Sequence, residues 1–465
     1  MLVLLLLLIP LITGLGLFAI KNEQQTKTIA LLSATATTVV ALLLVFNKAT
    51  IIYDTPWLQS LGARFTLKAD GMAKILCLLT AISYPLIFVA VYQRSYKNSA
   101  SFYGLMLLTQ VGLMGVFLAA DALLFYFFWE LALIPVYFLC SIWGGEKRIA
   151  ITFKFFIYTF IGSLLMLIGL LYVYFQTVDH SFAWESFKAV SLGGKEQAAV
   201  FALMFIAFAI KMPIFPFHTW QPDAYEQSPT AVTMVLSAVM VKMGIYAILR
   251  WLIPIVPMAS AQHAHMVIVL SVIGMIYASL IAIKQDDIKR LIAYSSIAHI
   301  GLMSAAMFTN NAAATTGVMI QMFNHGINVL GLWIIAEVIE QQLGTRKLSE
   351  LGGLAQKAPA MAILLVILSL ANVALPLTNA FVGEFLMFNG LFQYNIWIMA
   401  IAGTSIILAA VYTLNMVQKV IYGELGSASV NATDISGHVK VVLIAIVLMI
   451  LAFGVFPQHL IELVK

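Results

Sequence analysis

Residues 199–217 read AVFALMFIAFAIKMPIFPF, an apolar run holding one lysine, Lys211, and two prolines, Pro213 and Pro216. A helix rises about 1.5 Å per residue, so a hydrocarbon layer of about 30 Å needs about 20 apolar residues. This stretch is long enough to cross a bilayer, and its lone charge and its prolines are then out of place. Runs of similar length recur on both sides of it. Hydrophobic residues make up 62% of the 465 residues and charged residues 10%, where soluble domains carry about 25% charge. The chain is predicted to be all-α, a polytopic membrane protein surrounded by lipid.

About fourteen transmembrane helices are predicted. They cover 2–20, 28–46, 72–93, 102–119, 122–142, 149–175, 199–217, 230–251, 264–282, 291–307, 315–338, 359–393, 395–421 and 439–457. No charged linker divides them, so 1–465 reads as a single transmembrane domain. Met1–Ile20 has no basic residue before its apolar stretch and reads as an uncleaved first helix. The net charge of +5 is scattered between spans, which argues against nucleic acid as a partner. Cys77 and Cys140 lie in apolar runs without metal-ligand spacing, so no metal, iron–sulfur or other cofactor site is expected in this chain.

The basic residues read as topology signals. Of 25 lysines and arginines, fifteen follow odd-numbered helices, eight follow even-numbered ones, and Lys211 and Lys242 lie inside spans. The positive-inside bias places both termini on the outer face of the membrane.

Six titratable residues sit where lipid should exclude them: Glu130, Lys211, Lys242, His299, His325 and Glu384. Each of the four charged ones costs about 2.5–3.5 kcal/mol at mid-bilayer, so such groups face a protein interior and mark function. All six are predicted about 12–18 Å from a helix end, which suggests a chain of groups lying in the membrane plane. The simpler readings are a structural Glu–Lys pair and satisfied core histidines. Asp121 and Lys154, near helix ends, read as capping or snorkelling groups, and His218 as interfacial or functional.

Two helices are broken. Pro213 and Pro216 interrupt the seventh just after Lys211, and Pro376 interrupts the twelfth shortly before Glu384. Breaks at membrane depth are tolerated where they are buried or line a wet cavity, and they point to transport sites. They fall five helices apart, and an odd offset reverses direction. Helices 4–8 (102–251) and 9–13 (264–421) are therefore expected to form an inverted repeat.

The stretches FFWELALIPVYFLCSIWGGEKR (127–148), FAIKMPIFPFHTWQPDAYEQSPTAVTMVLSAVMVKMGIYAILR (208–250), QDDIKRLIAYSSIAHIGLM (285–303) and FNHGINVLGL (323–332) carry a resemblance. Together they resemble the antiporter-like subunits of respiratory complex I, over nearly the full chain. Among those, the chain is most similar to the M subunits of bacterial NADH:quinone oxidoreductase. Glu384 stands where the L and N relatives typically carry lysine, and the chain stops after its fourteenth helix, without the lateral helix of the L subunits.

The resemblance implies roles. Glu130 matches the glutamate that pairs with Lys211, and Lys211 the lysine that gives up and regains a proton. Lys242 and His299 match the central relay, His325 lies on that path, and Glu384 matches the terminal carboxylate. It also implies a bacterial cytoplasmic membrane, L-like and N-like neighbours, and a peripheral redox arm holding FMN and iron–sulfur clusters. This chain would then be a non-redox subunit of an H+-translocating enzyme, without an NADH or quinone site. One departure stands out: the family's Pro-Gly step in the twelfth-helix break is Pro376–Leu377 here. An Mrp-type cation/proton antiporter subunit and a membrane subunit of an energy-converting hydrogenase are the alternatives.

Overall fold

The computed structural model describes residues 1–464. Helices α1 (Leu2–Leu17) and α2 (Glu23–Phe46) lead into a hairpin of β1 (Ile51–Leu58) and β2 (Ala63–Ala69). Next come α3 (Gly71–Ala90), α4 (Ser99–Leu118), α5 (Ala122–Trp143), α6 (Arg148–Gln176) and the short α7 (Trp184–Ala189). The broken seventh span is α8 (Gly194–Lys211) and α9 (Gln221–Gln227). It is followed by α10 (Thr230–Ile255), α11 (Pro257–Ile283), α12 (Ile288–Met307) and α13 (Ala312–Leu343). The broken twelfth is α14 (Pro359–Asn372) and α15 (Asn379–Tyr394), before α16 (Ile396–Ile421), α17 (Gly437–Val455) and α18 (Gln458–Val464).

Ten of these helices are long and apolar enough to cross a membrane. The other four expected spans fall on elements that are too short, too polar or interrupted. α1 stops at Leu17 and α14 at Asn372. α8 carries Lys195, Glu196 and Lys211, and α12 opens on Lys289 and Arg290. Several helices start earlier than hydropathy alone suggested, because polar caps extend them. Asn22 caps α2, Asp287 caps α12 and Asn311 caps α13, each through a side-chain oxygen that accepts backbone N–H groups.

The all-helical expectation needs one correction, at Ile51–Ala69, where the chain pairs antiparallel as β1 and β2. Asp121 links the hairpin to the bundle. One of its carboxylate oxygens accepts from the N–H groups of Leu123 and Leu124, and the other from that of Arg64. Its expected capping role is what the structure shows.

At the other end of the bundle, the connections after α3, α5, α9, α11 and α13 surround one cavity of about 690 Å³. Its rim is cross-tied by ion pairs. Arg346 reaches Glu226 at 3.2 Å and Asp287 at 3.0 Å, and Arg290 reaches Glu226 at 2.8 Å and Asp223 at 3.1 Å. Lys154 joins this network through Asp223 at 2.9 Å, so it is paired and not merely snorkelling.

Burial orders the bundle from inside to outside. The spans of α10 and α13 are 94% buried, whereas α16 is 28% and α17 33% buried, with apolar side chains such as Trp397 and Val441 turned outward. The innermost helices therefore carry Lys242 and His325. Gly326 allows their close approach: a Cβ there would lie 2.9 Å from the Ala238 carbonyl oxygen of α10 and 2.7 Å from Leu79.

More lysines are buried than the two expected. Lys74, in the first turn of α3, donates to the carbonyls of Asn47 and Ala49, and Lys289, in the first turn of α12, donates to Thr230 Oγ1 and pairs with Glu340. Both lie at helix ends, where a long side chain folds back onto polar backbone or an acid.

Candidate functional site: a polar line across the bundle core

α8 ends at Lys211 because the prolines that follow cannot donate. Its last carbonyls find other partners. Ile214 N–H donates to Ala209 O, and the indole of Trp220 donates to Ile210 O at 3.0 Å. The break is thus satisfied without Lys211. The lysine is 2% exposed, its Nζ has no hydrogen-bond partner, and it lies 5.4 Å from the ring centroid of Trp129. Trp129 is fixed in turn by donating to Ser163 Oγ at 3.2 Å. The next residue on α5, Glu130, supplies the negative charge acting on Lys211. Glu130 is half-buried, and its Oε1 is buried without a partner. Lysine and glutamate are neighbours without a locked hydrogen bond.

α10 brings Lys242 to the centre through an irregularity that no proline announces. Over Leu236–Met240 the helix takes π geometry, and Val241 N–H donates to Leu236 O, five residues back. The carbonyl of Ser237, which an α-helix would have paired with Val241, is left free. Lys242 Nζ donates to it at 2.7 Å. Lys242 is fully buried and also lies 2.9 Å from His325 Nδ1 on α13.

That contact has two equivalent readings. An ammonium has only donors, so a charged Lys242 requires a free Nδ1 on His325. With the proton on Nδ1, the neutral amine accepts instead. The same heavy-atom positions serve before and after a transfer.

The line continues towards α15. His325 Nε2 lies 3.3 Å from Ser296 Oγ, and its ring centroid is 5.5 Å from that of His299, one turn further along α12. His299 Nδ1 is 3.1 Å from Glu384 Oε1, and the carboxylate oxygen accepts. Gln321 Nε2 also donates to Glu384 Oε1, at 3.4 Å. Gly383 makes room for that amide, since a Cβ there would stand 2.4 Å from Gln321 Oε1. Beside His299 and Glu384 is a cavity of about 20 Å³, room for about one water, with Tyr412 and Ser405 in its wall.

Of the six expected residues, Lys242, His325, His299 and Glu384 form one near-continuous line. Lys211 and Glu130 form a second group, and no hydrogen bond joins the two among the described residues. They are held close by Gly244 of α10, where a Cβ would lie 2.7 Å from Phe208 O and 2.8 Å from Met212 Cβ. His218 is buried with its Nδ1 unpartnered, between Phe215 and Tyr277, and stands outside both groups. Ser237, Ser296, Gln321 and the π stretch were missed in the sequence. Ser237, Ser296 and Gln321 each offered a signal, as polar residues in apolar spans, whereas the π stretch offered none.

The twelfth-helix break is conformationally demanding. Between α14 and α15, Ala374 and Leu377 have φ of 55° and 73°. Leu377 therefore adopts the left-handed backbone at the step where the resemblance expects glycine, at a cost of about 1–2 kcal/mol.

The family described as NADH:quinone oxidoreductase/Mrp antiporter, TM, matches residues 119–409. NADH-quinone oxidoreductase subunit M of Rhodobacter capsulatus is 36% identical over 460 residues, covering 95% of this chain and 89% of that relative. The chain belongs to the subunit M family of NADH-quinone oxidoreductase. Subunit M of Escherichia coli (strain K12) is 34% identical, covering 88% of this chain and 83% of that one. Among solved structures, respiratory complex I from Thermus thermophilus with bound NADH contains a chain similar to this one, with a TM-score of 0.93 and 30% identity. That match covers 100% of this chain and 98% of the other. The Mrp complex from Dietzia sp. DQ12-45-1b gives a TM-score of 0.90 at 20% identity, covering 100% of this chain and 95% of that one, which shows a shared fold alone.

Proposed function

We propose that this chain, as subunit M of NADH:quinone oxidoreductase, moves protons across the core of the bundle through Glu130, Lys211, Lys242, His325, His299 and Glu384. The observation carrying this reading is the Lys242–His325 contact at 2.9 Å, fully buried and compatible with the proton on either side. Its partners are the other membrane subunits of the complex and the peripheral arm. FMN and iron–sulfur clusters belong to that arm, so the redox energy arrives from outside this chain. Moving one charge against 150 mV costs about 3.5 kcal/mol. A Glu–Lys pair at about 7 Å contributes about 2.4 kcal/mol at an effective dielectric of 20. One pair cannot drive the step alone, and several coupled sites are needed.

Lys242→Ala removes the amine that touches His325. Proton uptake by vesicles holding the assembled complex is expected to fall by about 100-fold, the scale of a lost proton-transfer group. Uptake at the normal rate would refute the relay.

The inverted repeat belongs to the same reading: residues 102–251 and 264–421 each hold a broken helix beside a buried titratable group. So does sidedness, with the protein in the bacterial cytoplasmic membrane and both termini outside. Lys147 and Lys347 line the same cavity and are exposed, whereas Lys188 lies near the hairpin end. Cysteines placed at 147 and 347 should be shielded from an impermeant reagent added outside, and one at 188 should react. The reverse pattern would invert the orientation.

A further inference from the structure

Among the buried asparagines that the relay leaves unused, Asn324, Asn328 and Asn379 join α13 to the break in the twelfth helix, while Asn372, at the end of α14, donates to Ser295 Oγ of α12 at 3.0 Å. Asn324 and Asn328 flank His325 on α13, one residue before it and three after. Asn328 Nδ2 donates to the carbonyl of Ala371, in the last turn of α14, at 3.1 Å. Asn324 Nδ2 donates to the carbonyl of Asn379, the first residue of α15, at 2.7 Å. Asn379 Nδ2 returns a bond to Asn324 O at 3.4 Å. One helix therefore holds both halves of the broken one, with the relay histidine between its two points of attachment.

A helix end leaves carbonyls unpaired, and buried ones need partners. The asparagines meet that need, but a serine or water could do the same. Three features suggest more than helix-end satisfaction. The Oδ1 atoms of Asn324, Asn328 and Asn379 are all buried without partners, so each side chain is placed for its donor at the cost of its acceptor. The segment they span holds Ala374 and Leu377 in left-handed backbone, and relaxes unless it is held. Leu377 O also lies against α17, where a Cβ on Gly454 would be 2.1 Å from it, so the strained turn is gripped from both sides.

We propose that Asn324, paired with Asn379, is a positioning residue for the proton relay: it sets α15, and with it Glu384, against the histidines of α12 and α13. Asn328 anchors the other half of the break to the same helix. Glu384 lies five residues along α15 from Asn379, a little over one turn, so a slip of α15 changes the His299–Glu384 separation directly. A group transferring a proton tolerates little displacement, and about 1 Å can cost about 100-fold.

This inference rests on the relay reading, and one set of variants separates the two. Proton uptake and the amount of assembled complex are measured for Asn324→Ala, Glu384→Asp, their double variant and Glu384→Gln, all in the whole complex. Asn324→Ala is expected to lower uptake per complex about tenfold. In the double variant the loss should be no greater than in the more impaired of the two single variants, because the shorter acid and the missing asparagine give up the same positioning. A merely structural asparagine predicts losses that multiply. Normal uptake in Asn324→Ala, or multiplying losses alongside an inactive Glu384→Gln, overturns the positioning role and leaves the relay standing. Full activity in Glu384→Gln removes both. Should Asn324→Ala fail to assemble, Asn379→Ala cuts the same pair from the other helix and is read in the same way.

Discussion

Replacing Lys211 by alanine is expected to lower proton translocation by about 100-fold or more, with the complex still assembled. The expectation follows from what the lysine does not do. It caps no helix end, because Ile214 and Trp220 satisfy the carbonyls exposed by the break, and its Nζ makes no hydrogen bond. Its polar interactions are a contact with the Trp129 ring and the charge of Glu130. If Lys211 were instead half of a structural ion pair, its loss would strand a charge at a cost of about 3–5 kcal/mol and reduce the yield of complex. Lys211→Arg separates the cases again. Arginine keeps the charge and the ring contact but does not release a proton. We expect Lys211→Arg to assemble and not to pump, whereas a structural pair would accept it.

The second large effect is expected at Glu384. Its Oε1 accepts from His299 and Gln321, and a glutamine carbonyl oxygen could accept both bonds in the same place. Geometry is therefore retained in Glu384→Gln and only titration is lost. Proton uptake is expected to fall by about 100-fold, with Glu384→Asp keeping part of it. NADH oxidation should slow in proportion if redox turnover and pumping are tightly coupled. Near-normal uptake in the glutamine variant would show that hydrogen bonding, not protonation, retains an acid here.

Much of this arrangement could be read from the sequence because lipid makes ionisable residues costly. Lys211, Lys242, His325 and Glu384 stood out against apolar spans, and all four are buried in the bundle. Prolines announced both breaks for an equally direct reason, the missing N–H. The π stretch at Leu236–Met240 carried no such mark. It depends on how α10 packs against α13, and its five residues, LSAVM, suit an α-helix equally well. Without it the free carbonyl of Ser237 could not be foreseen.

The hairpin at Ile51–Ala69 falls in the connection between the second and third expected spans, to which no structure was assigned. The left-handed Leu377 runs against residue preference, so sequence could flag the missing glycine but not the conformation that results. Glu130 was legible as a titratable group in an apolar run, but how far it is covered depends on which face of α5 it occupies, and here it is half-covered.

The most direct test of the account is the proton-to-electron ratio and rate of the whole complex in sealed vesicles, with Lys211→Ala and Glu384→Gln beside the unaltered protein. Both variants should assemble and take up almost no protons through this subunit, with the peripheral arm still able to oxidise NADH with an artificial acceptor. An unchanged ratio at an unchanged rate in both variants would contradict the relay.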